Sequence, residues 1–426
     1  MSNQNLEAKR WWIAVAAVII QLCLGSVYAW SVFKKPLMVS HGWAEFQTQL
    51  TFMICIGVIG ISAAFGGILV DKKGPRFVAL IGGILFGIGT LVAGFAAKIG
   101  NIYLLYLGFG LIAGLGNGFG YVTPIATLIR WFPDKRGLVT GLAVMGFGLG
   151  AFFIGKLAPG IIASFSASSD VPDAQGVATT FFILGLLFLV LVTASATLFK
   201  NPPAGWLPAG FTPPKTAASA AESFNLSEAT RTPQWWMLWG MLFLNVSAGL
   251  GLLSQLSPMA QEVIGNRDGI TDAKILAAAG GTILAIASIF NGLGRLFWAS
   301  VSDKIGRKAV FATMFASQAV LYIVLPAIAN VTMFTIIACY LLACYGGGFA
   351  TMPAFAADSF GPANIGRVYG TMLTAWGAAG IAGPLVFALE ALKGKSLYVA
   401  AGMLVAGLVL AALYKRPAGR TAKAAA

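Results

Sequence analysis

Twelve apolar stretches divide the chain, and each is long enough to cross a lipid bilayer as a helix. The first six lie at approximately residues 11–33, 48–70, 77–97, 102–129, 137–163 and 177–199, and the second six near 234–256, 274–301, 309–329, 331–357, 367–391 and 396–414. Charged residues make up 10% of the sequence, against about 25% in soluble domains. Because backbone groups in hydrocarbon must be paired within the protein, the pattern predicts an all-α membrane protein of twelve transmembrane helices.

A polar segment rich in Pro, Ala and Ser separates the sixth apolar stretch from the seventh. Its composition is typical of a linker, and it divides the chain six plus six. We therefore expect an N-terminal six-helix bundle at 1–199, a cytoplasmic linker at 200–233 and a C-terminal six-helix bundle at 234–426, which ends in a short cytoplasmic tail.

Lys and Arg residues occur in short clusters between the apolar stretches, and more than twice as many lie on the side of the chain termini as on the other side. This asymmetry predicts that both termini are cytoplasmic in a multi-pass protein of the bacterial plasma membrane. The clusters also account for the net charge of +14. Because they are dispersed as topology signals, we expect no nucleic-acid partner.

Residue types that hold metals or perform catalysis are sparse in the apolar stretches. The four cysteines, Cys23, Cys55, Cys339 and Cys344, lack metal-binding or redox spacing, and the one histidine, His41, falls in the first external loop. The stretches contain no histidine cluster, buried carboxylate pair or nucleophile beside a base. We therefore expect no metal, no cofactor and no enzymatic activity.

The two halves of the chain share a short charged motif, which follows the second stretch at residues 71–76 and the eighth at 303–308. Two repeated halves place a substrate site between them near the membrane midplane and suggest alternating access by rocking. The motif supplies candidate gating residues, because its aspartates can accept hydrogen bonds from a helix N-terminus or a basic side chain of a neighbour. These candidates are Asp71, Arg76, Asp303 and Arg307.

The repeated motif resembles the loop signature of the major facilitator superfamily. A finer resemblance, covering approximately residues 10 to 416, is to its oxalate/formate antiporters and bacterial monocarboxylate (lactate) transporters. The motifs that carry it are GSVYAWSVF at 25–33, RWFPDKRG at 130–137, RTPQWW at 231–236 and NGLGR at 291–295. The resemblance implies the major facilitator fold and secondary transport of small carboxylates, with Arg295 binding the carboxylate.

Arg295 lies in the middle of the eighth apolar stretch. A guanidinium stays charged in proteins, and burying it in hydrocarbon is costly unless it meets water, a partner or a ligand. Its own stretch contains no carboxylate before Asp303, which lies two turns away near the surface. We therefore expect a substrate anion as its partner, with a structural ion pair as the alternative. Asn291, one turn away on the same face, is a candidate to orient the guanidinium or to bind the carboxylate, with helix packing as an equal alternative.

Two departures from the family pattern bear on the substrate. The resemblance implies a second cation, a lysine, in the eleventh stretch, where Trp376 stands instead. One fixed cation matches one carboxylate, because a second negative charge would stay unneutralised in a low-dielectric site. We therefore expect a lactate- or pyruvate-like monocarboxylate.

Asn291 and Val32 stand where related animal transporters carry an aspartate and a lysine, so the usual proton-coupling groups are absent. Proton symport is the expected mode, and anion exchange of the oxalate/formate type is the alternative.

Further polar and aromatic residues are candidate walls of the substrate cavity. Asn117 and Tyr121 lie one helical turn apart in a glycine-rich stretch, which close helix packing explains equally well. Tyr28, Tyr345 and Trp376 are candidate aromatic walls, with ordinary packing as the alternative. The expected partners are thus a small monocarboxylate anion, a proton and the lipid bilayer, for a protein that we expect to be a monomer.

Overall fold

The computed structural model of the protein describes residues 3–167, 173–212, 223–270, 273–388 and 394–417. Twelve helices in this part are long and apolar enough to cross a membrane, and we number them α1 to α12. The first six are α1 (Leu6–Ala29), α2 (Phe46–Lys73), α3 (Pro75–Ile99), α4 (Ile102–Trp131), α5 (Arg136–Phe165) and α6 (Ala174–Ala196). The second six are α7 (Pro233–Leu256), α8 (Ala279–Ile305), α9 (Arg307–Ala327), α10 (Val331–Phe360), α11 (Ile365–Phe387) and α12 (Ser396–Leu413). The predicted all-α, twelve-helix fold is confirmed.

Four of these helices depart from regular α geometry, and in one of them, α9, the departure is a terminal 3-10 turn at Leu325–Ala327. The α1 helix tightens to a 3-10 turn at Gly25–Ala29 and continues as an α-helix over Trp30–His41. The α4 helix has a π-helical segment at Tyr106–Ala113, and α11 is interrupted at Leu373. Breaks in membrane helices are tolerated where they are buried in protein or line a cavity. Two predicted site residues, Tyr28 in the 3-10 turn and Trp376 just after Leu373, lie at such breaks.

The helices of each half pack chiefly against one another. In the first half α3 packs on α6 and α4, and α1 packs on α5; in the second half α8 packs on α10, α7 on α11 and α9 on α12. Between the halves, α2 packs on α11 and α5 packs on α8. These two seams correspond under the internal repeat, because α2 and α8 have the same place in their halves, as do α5 and α11. One face of each of these four helices therefore lies at the interface between the halves.

Pairs of glycines let the two seams close. A Cβ atom on Gly60 of α2 would lie 2.7 Å from the backbone of Gly377 on α11. On the other seam, a Cβ atom on Gly148 of α5 would lie 3.0 Å from the Cα atom of Gly292 on α8. Small residues at such contacts let membrane helices approach closely and gain dispersion energy.

The described part of the linker is attached to both halves. The Trp131 indole at the end of α4 donates to the Lys200 carbonyl at 2.6 Å, and its ring contacts Trp206. Farther along, the Phe224 amide donates to the Phe360 carbonyl at the end of α10, at 2.8 Å. A short helix, Leu226–Thr230, then leads into α7. We refer to the end of the bundle where this segment joins α6 to α7 as the linker end.

Candidate functional site

One level of the bundle brings together residues from both halves. Tyr121 on α4, Phe147 on α5, Arg295 on α8, Phe349 on α10 and Trp376 on α11 are all buried. Each lies about ten residues from the linker end of its helix, a depth of roughly 15 Å at the α-helical rise. The four aromatic rings contact one another, with centroid distances of 5.2 Å for Tyr121 and Phe147, 5.7 Å for Phe147 and Trp376, and 5.0 Å for Phe349 and Trp376. Arg295 is therefore enclosed by an aromatic layer.

The Arg295 guanidinium has no solvent exposure and is only partly satisfied. Its Nε donates to Asn291 Oδ1 at 3.4 Å, its Nη1 donates to the Val144 carbonyl at 3.2 Å, and its Nη2 has no hydrogen-bond partner. The carbon between these nitrogens lies 5.8 Å and 5.5 Å from the ring centres of Phe147 and Phe349. Among the described residues, no carboxylate lies within ion-pair distance of Arg295, so none of them neutralises the buried charge.

Other hydrogen-bond donors lie beside this guanidinium. The Tyr28 hydroxyl is 3.3 Å from the Tyr345 hydroxyl, and it also lies near Arg295 and the Trp376 indole. The indole N–H of Trp376 is buried and has no hydrogen-bond partner. An indole and a guanidinium offer only donors, and a tyrosine hydroxyl can donate as well as accept. This set of groups is suited to an anionic oxygen, which accepts several such bonds at once.

The structure places Asn117 and Tyr121 in different roles. Asn117 Nδ2 donates to the Leu24 carbonyl at 2.9 Å and thereby ties α4 to α1. The Tyr121 ring belongs to the aromatic layer, and its backbone carbonyl accepts a bond from Gln21 Nε2 at 3.2 Å. The buried Tyr121 hydroxyl has no aligned hydrogen-bond partner but interacts with the hydroxyl of Tyr369 on α11. Tyr121 is thus in the site, whereas the hydrogen bond of Asn117 is between helices.

Sequence reasoning missed three residues of this site, Phe147, Phe349 and Tyr369. A phenylalanine in a membrane helix carries no polar signal, so nothing distinguished the first two from lipid-facing or packing residues. Tyr369 does carry a signal, because it precedes Trp376 by seven residues, a spacing that would place both side chains on the same side of an uninterrupted helix.

The repeated aspartates lie in the last turns of α2 and α8, and each binds the first turn of a helix in the opposite half. Asp71 accepts from the Arg367 backbone amide at 2.8 Å, at the start of α11. Asp303 accepts from the backbone amides of Gly137 and Leu138, both at 3.0 Å, at the start of α5. Free amides and the helix dipole make such termini favourable for a carboxylate. The two contacts repeat each other and close the linker end.

Arginines reinforce both contacts. Asp71 pairs with Arg130 Nη2 at 2.5 Å, and Asp303 pairs with Arg307 Nη2 at 2.6 Å. Asp358 on α10 joins Arg307 to Arg136 of the first half, at 2.9 Å and 2.8 Å. Because they lie at helix ends, Arg130, Arg136 and Asp358 resembled ordinary topology charges and were not singled out in the sequence.

Arg76, a candidate gating residue in the same motif as Asp71, lies apart from that aspartate in the structure. Its side chain is exposed and forms no hydrogen bond or ion pair with any described residue. The physical reason is the helix geometry: Arg76 belongs to the first turn of α3, whereas Arg130 on α4 and the amide of Arg367 on α11 occupy both carboxylate oxygens of Asp71.

The polar contacts between the halves are unevenly distributed. Among the described residues, most of these contacts lie toward the linker end. Those at the level of the candidate site include the bond from Arg295 to Val144, that between Tyr28 and Tyr345, and the interaction of the Tyr121 and Tyr369 hydroxyls. The linker end is therefore closed by ion pairs and helix-terminus contacts, and the candidate site lies farther into the bundle.

Comparison with known proteins agrees with this architecture. The family model described as Major Facilitator Superfamily matches residues 13–384 and 269–426. The chain is 31% identical over 384 residues to the oxalate:formate antiporter of Oxalobacter formigenes, covering 89% of this chain and 85% of that protein. It is 30% identical over 463 residues to apicoplast pyruvate carrier 1 of Toxoplasma gondii, covering 87% and 82% of the two chains.

A solved structure shows the same fold. FucP, crystallised in the outward conformation, matches with a TM-score of 0.72 at 17% identity, covering 95% of this chain and 99% of that chain. With the relatives and the family model, this establishes a transporter and not an enzyme. The chain belongs to the major facilitator superfamily, in its oxalate/formate antiporter-like branch.

Proposed function

We propose that the protein carries small monocarboxylates, such as lactate or pyruvate, across the membrane by alternating access. The observation that carries this proposal is the Arg295 guanidinium, which is fully buried, has an unpaired Nη2 and meets no described carboxylate. An uncompensated charge in such surroundings is costly. A substrate carboxylate between Arg295, Tyr28, Tyr345 and the Trp376 indole would remove this cost, with Asn291 orienting the guanidinium through Nε.

A single carboxylate with a short carbon tail fits this site best. Arg295 is the one cation among the described residues of the aromatic layer, so a second carboxylate would find no counter-charge there. The rings of Phe147, Phe349, Tyr121 and Trp376 supply apolar walls for two or three carbon atoms. Two relatives bear names of this substrate range, a pyruvate carrier and a human monocarboxylate transporter, the latter 27% identical over 44% of this chain.

We propose proton symport as the coupling mode, because one monocarboxylate with one proton moves no net charge. Anion exchange is a second candidate, and a specific observation favours it. An empty carrier would have to reorient with the Arg295 charge unpaired, whereas an exchanger carries an anion in both directions. A relative with 31% identity is named an oxalate:formate antiporter.

We further propose that the linker end faces the cytoplasm, with both termini on that side of a bacterial plasma membrane, because Lys and Arg are concentrated there. Domain limits at 1–199 and 234–426, with a monomeric state, complete the proposal. In this arrangement the closed linker end blocks the cytoplasmic path to Arg295, and the contacts of Asp71 and Asp303 break when the carrier turns inward.

The proposal is tested with purified protein in proteoliposomes, using labelled lactate. Arg295→Ala and Arg295→Lys should each lower uptake by about 100-fold or more, since loss of a buried charged hydrogen-bonding partner costs roughly 3 kcal/mol. Arg76→Ala, which removes an exposed arginine that has no partner among the described residues, is the matched control and should transport normally. Wild-type uptake by both Arg295 variants would refute the assignment.

A second experiment separates the two coupling modes. Vesicles are prepared either with an acidic exterior and no internal anion, or at equal pH with unlabelled lactate or formate inside. Uptake driven by the pH gradient alone supports symport. Uptake that requires the internal anion supports exchange.

A further inference from the structure

A cavity lies at the linker end of the C-terminal half, away from the Arg295 site. It has a volume of about 520 Å³ and lies between the end of α8, the first turns of α9, the last turns of α10 and the segment after α12. Its apolar wall is formed mainly by Ile305, Ala309, Ala312 and Phe355. The helix ends that surround it lie where the apolar part of each transmembrane helix stops, which is the level of lipid headgroups.

Basic side chains also line this cavity. Lys308 Nζ donates to the carbonyls of Ala412 and Tyr414, at 2.7 Å and 3.0 Å. An ammonium has three N–H groups, so Lys308 is held in place with one donor remaining. Arg416 also lines the cavity, is exposed, and forms no hydrogen bond or ion pair with any described residue.

The acidic side of the cavity is already neutralised. Asp358 is the one described carboxylate in its lining, and it is paired with both Arg136 and Arg307. Lys308 and Arg416 therefore leave a net positive charge beside an apolar wall. This combination fits a ligand with an anionic head and a hydrocarbon tail, because a free phosphate would gain nothing from Ile305 or Ala309.

We propose that this cavity binds an anionic phospholipid, with the headgroup phosphate on Lys308 and Arg416 and an acyl chain along Ile305 and Ala309. Basic pockets between transmembrane helices are suited to such headgroups. The position of the cavity in the fold agrees, since a lipid in the surrounding leaflet reaches it by lateral diffusion. The proposal is independent of the transported substrate.

The test uses the full-length protein in detergent and native mass spectrometry, with phosphatidylglycerol and phosphatidylcholine of the same acyl chains as probes. Phosphatidylglycerol should bind the wild type at least tenfold more tightly than phosphatidylcholine. Arg416→Gln, which removes the unpaired cation, should weaken phosphatidylglycerol binding about fivefold. Ala309→Phe, which fills part of the cavity without changing its charge, should weaken phosphatidylglycerol binding by a similar factor. Lys73→Gln, an exposed cation at the linker end of the other half, is the matched control and should bind normally.

Three outcomes would overturn the proposal. The first is equal affinity of the wild type for both lipids. The second is unchanged phosphatidylglycerol affinity in both Arg416→Gln and Ala309→Phe, with each variant monodisperse and melting at the wild-type temperature. The third is displacement of the lipid by equimolar inorganic phosphate, which would show that a free anion alone occupies the site.

Discussion

The hydroxyl groups of Tyr28 on α1 and Tyr345 on α10 lie 3.3 Å apart and join the two halves of the transporter beside Arg295. Tyr345 is fully buried, and its backbone carbonyl is also held by Asn245 Nδ2 at 3.1 Å. One hydroxyl belongs to each half, so the bond forms only when the halves approach each other at this level. The distance between the two hydroxyls therefore depends directly on how closely the two halves approach at the site.

A double-mutant cycle should reveal this relationship. Tyr28→Phe and Tyr345→Phe should each raise the KM for lactate by about three- to tenfold, because each leaves the other hydroxyl unpaired at a cost of roughly 1 kcal/mol. The double variant should raise the KM by less than the product of the two single effects, since the bond between the two hydroxyls is lost only once. KM values from proteoliposome uptake give the coupling energy. Effects that multiply would show that the two hydroxyls act independently.

Trp376→Phe tests the contribution of the indole N–H to substrate binding separately from that of the aromatic ring. The variant keeps an aromatic wall against Phe349, whose ring centre lies 5.0 Å away, but loses the buried donor that has no aligned hydrogen-bond partner among the described residues. We expect the KM for lactate to rise about tenfold, the loss of one hydrogen bond to a charged group, with an unchanged melting temperature. An unchanged KM would exclude the indole from carboxylate binding.

Arg130→Gln should be strongly destabilising, whereas Arg76→Gln should not. The Asp71 carboxylate has 4% exposure and would be left without its 2.5 Å partner in the first variant. Removing one member of a buried ion pair costs about 3–5 kcal/mol, which should appear as a lowered melting temperature in detergent. Arg76 has no described partner, so its variant is the matched control.

The double variant Asp71→Asn/Arg130→Gln completes this test. It should recover part of the lost stability, because the buried Asp71 charge is removed together with Arg130. A melting temperature as low as that of Arg130→Gln alone would contradict the ion-pair explanation.

Gly137→Ala should open the linker end. A Cβ atom at this position would lie 2.2 Å from the Ala299 carbonyl and 2.6 Å from an Asp303 carboxylate oxygen, so the contact of α5 with α8 would have to separate. Gly155→Ala, on the same helix, is the matched control because its Cβ atom would meet nothing within 4 Å. In a background carrying Ala350→Cys at the buried interface, labelling by a maleimide should become about tenfold faster in Gly137→Ala only. Equal labelling rates in the two glycine variants would rule out this role for the contact.

Much of the fold was predictable because the local sequence of each transmembrane helix is sufficient to predict that helix. A run of apolar residues long enough to cross the hydrocarbon layer is predicted to be a transmembrane helix, so hydropathy alone predicted twelve helices. The composition of the linker predicted the division into six plus six. Breaks within helices were not predictable: the 3-10 turn at Tyr28 and the interruption at Leu373 depend on contacts with neighbouring helices. Gly25 illustrates this, since its Cβ atom would lie 1.9 Å from the Phe147 carbonyl of α5.

The sequence by itself determined that Arg295 is a charge in hydrocarbon and that its helix offers no counter-ion, because charge and hydropathy are local properties. It also determined that the two aspartate motifs are equivalent. Only the tertiary structure decided which residues share a level of the bundle: it brought Phe147, Phe349 and Tyr369 to the site and turned Asn117 towards the α1 backbone. It also paired Asp71 with Arg130, not Arg76. The physical reason is that side-chain partners on different helices depend on helix rotation and depth, which apolar periodicity leaves open in a membrane helix that is hydrophobic on all sides.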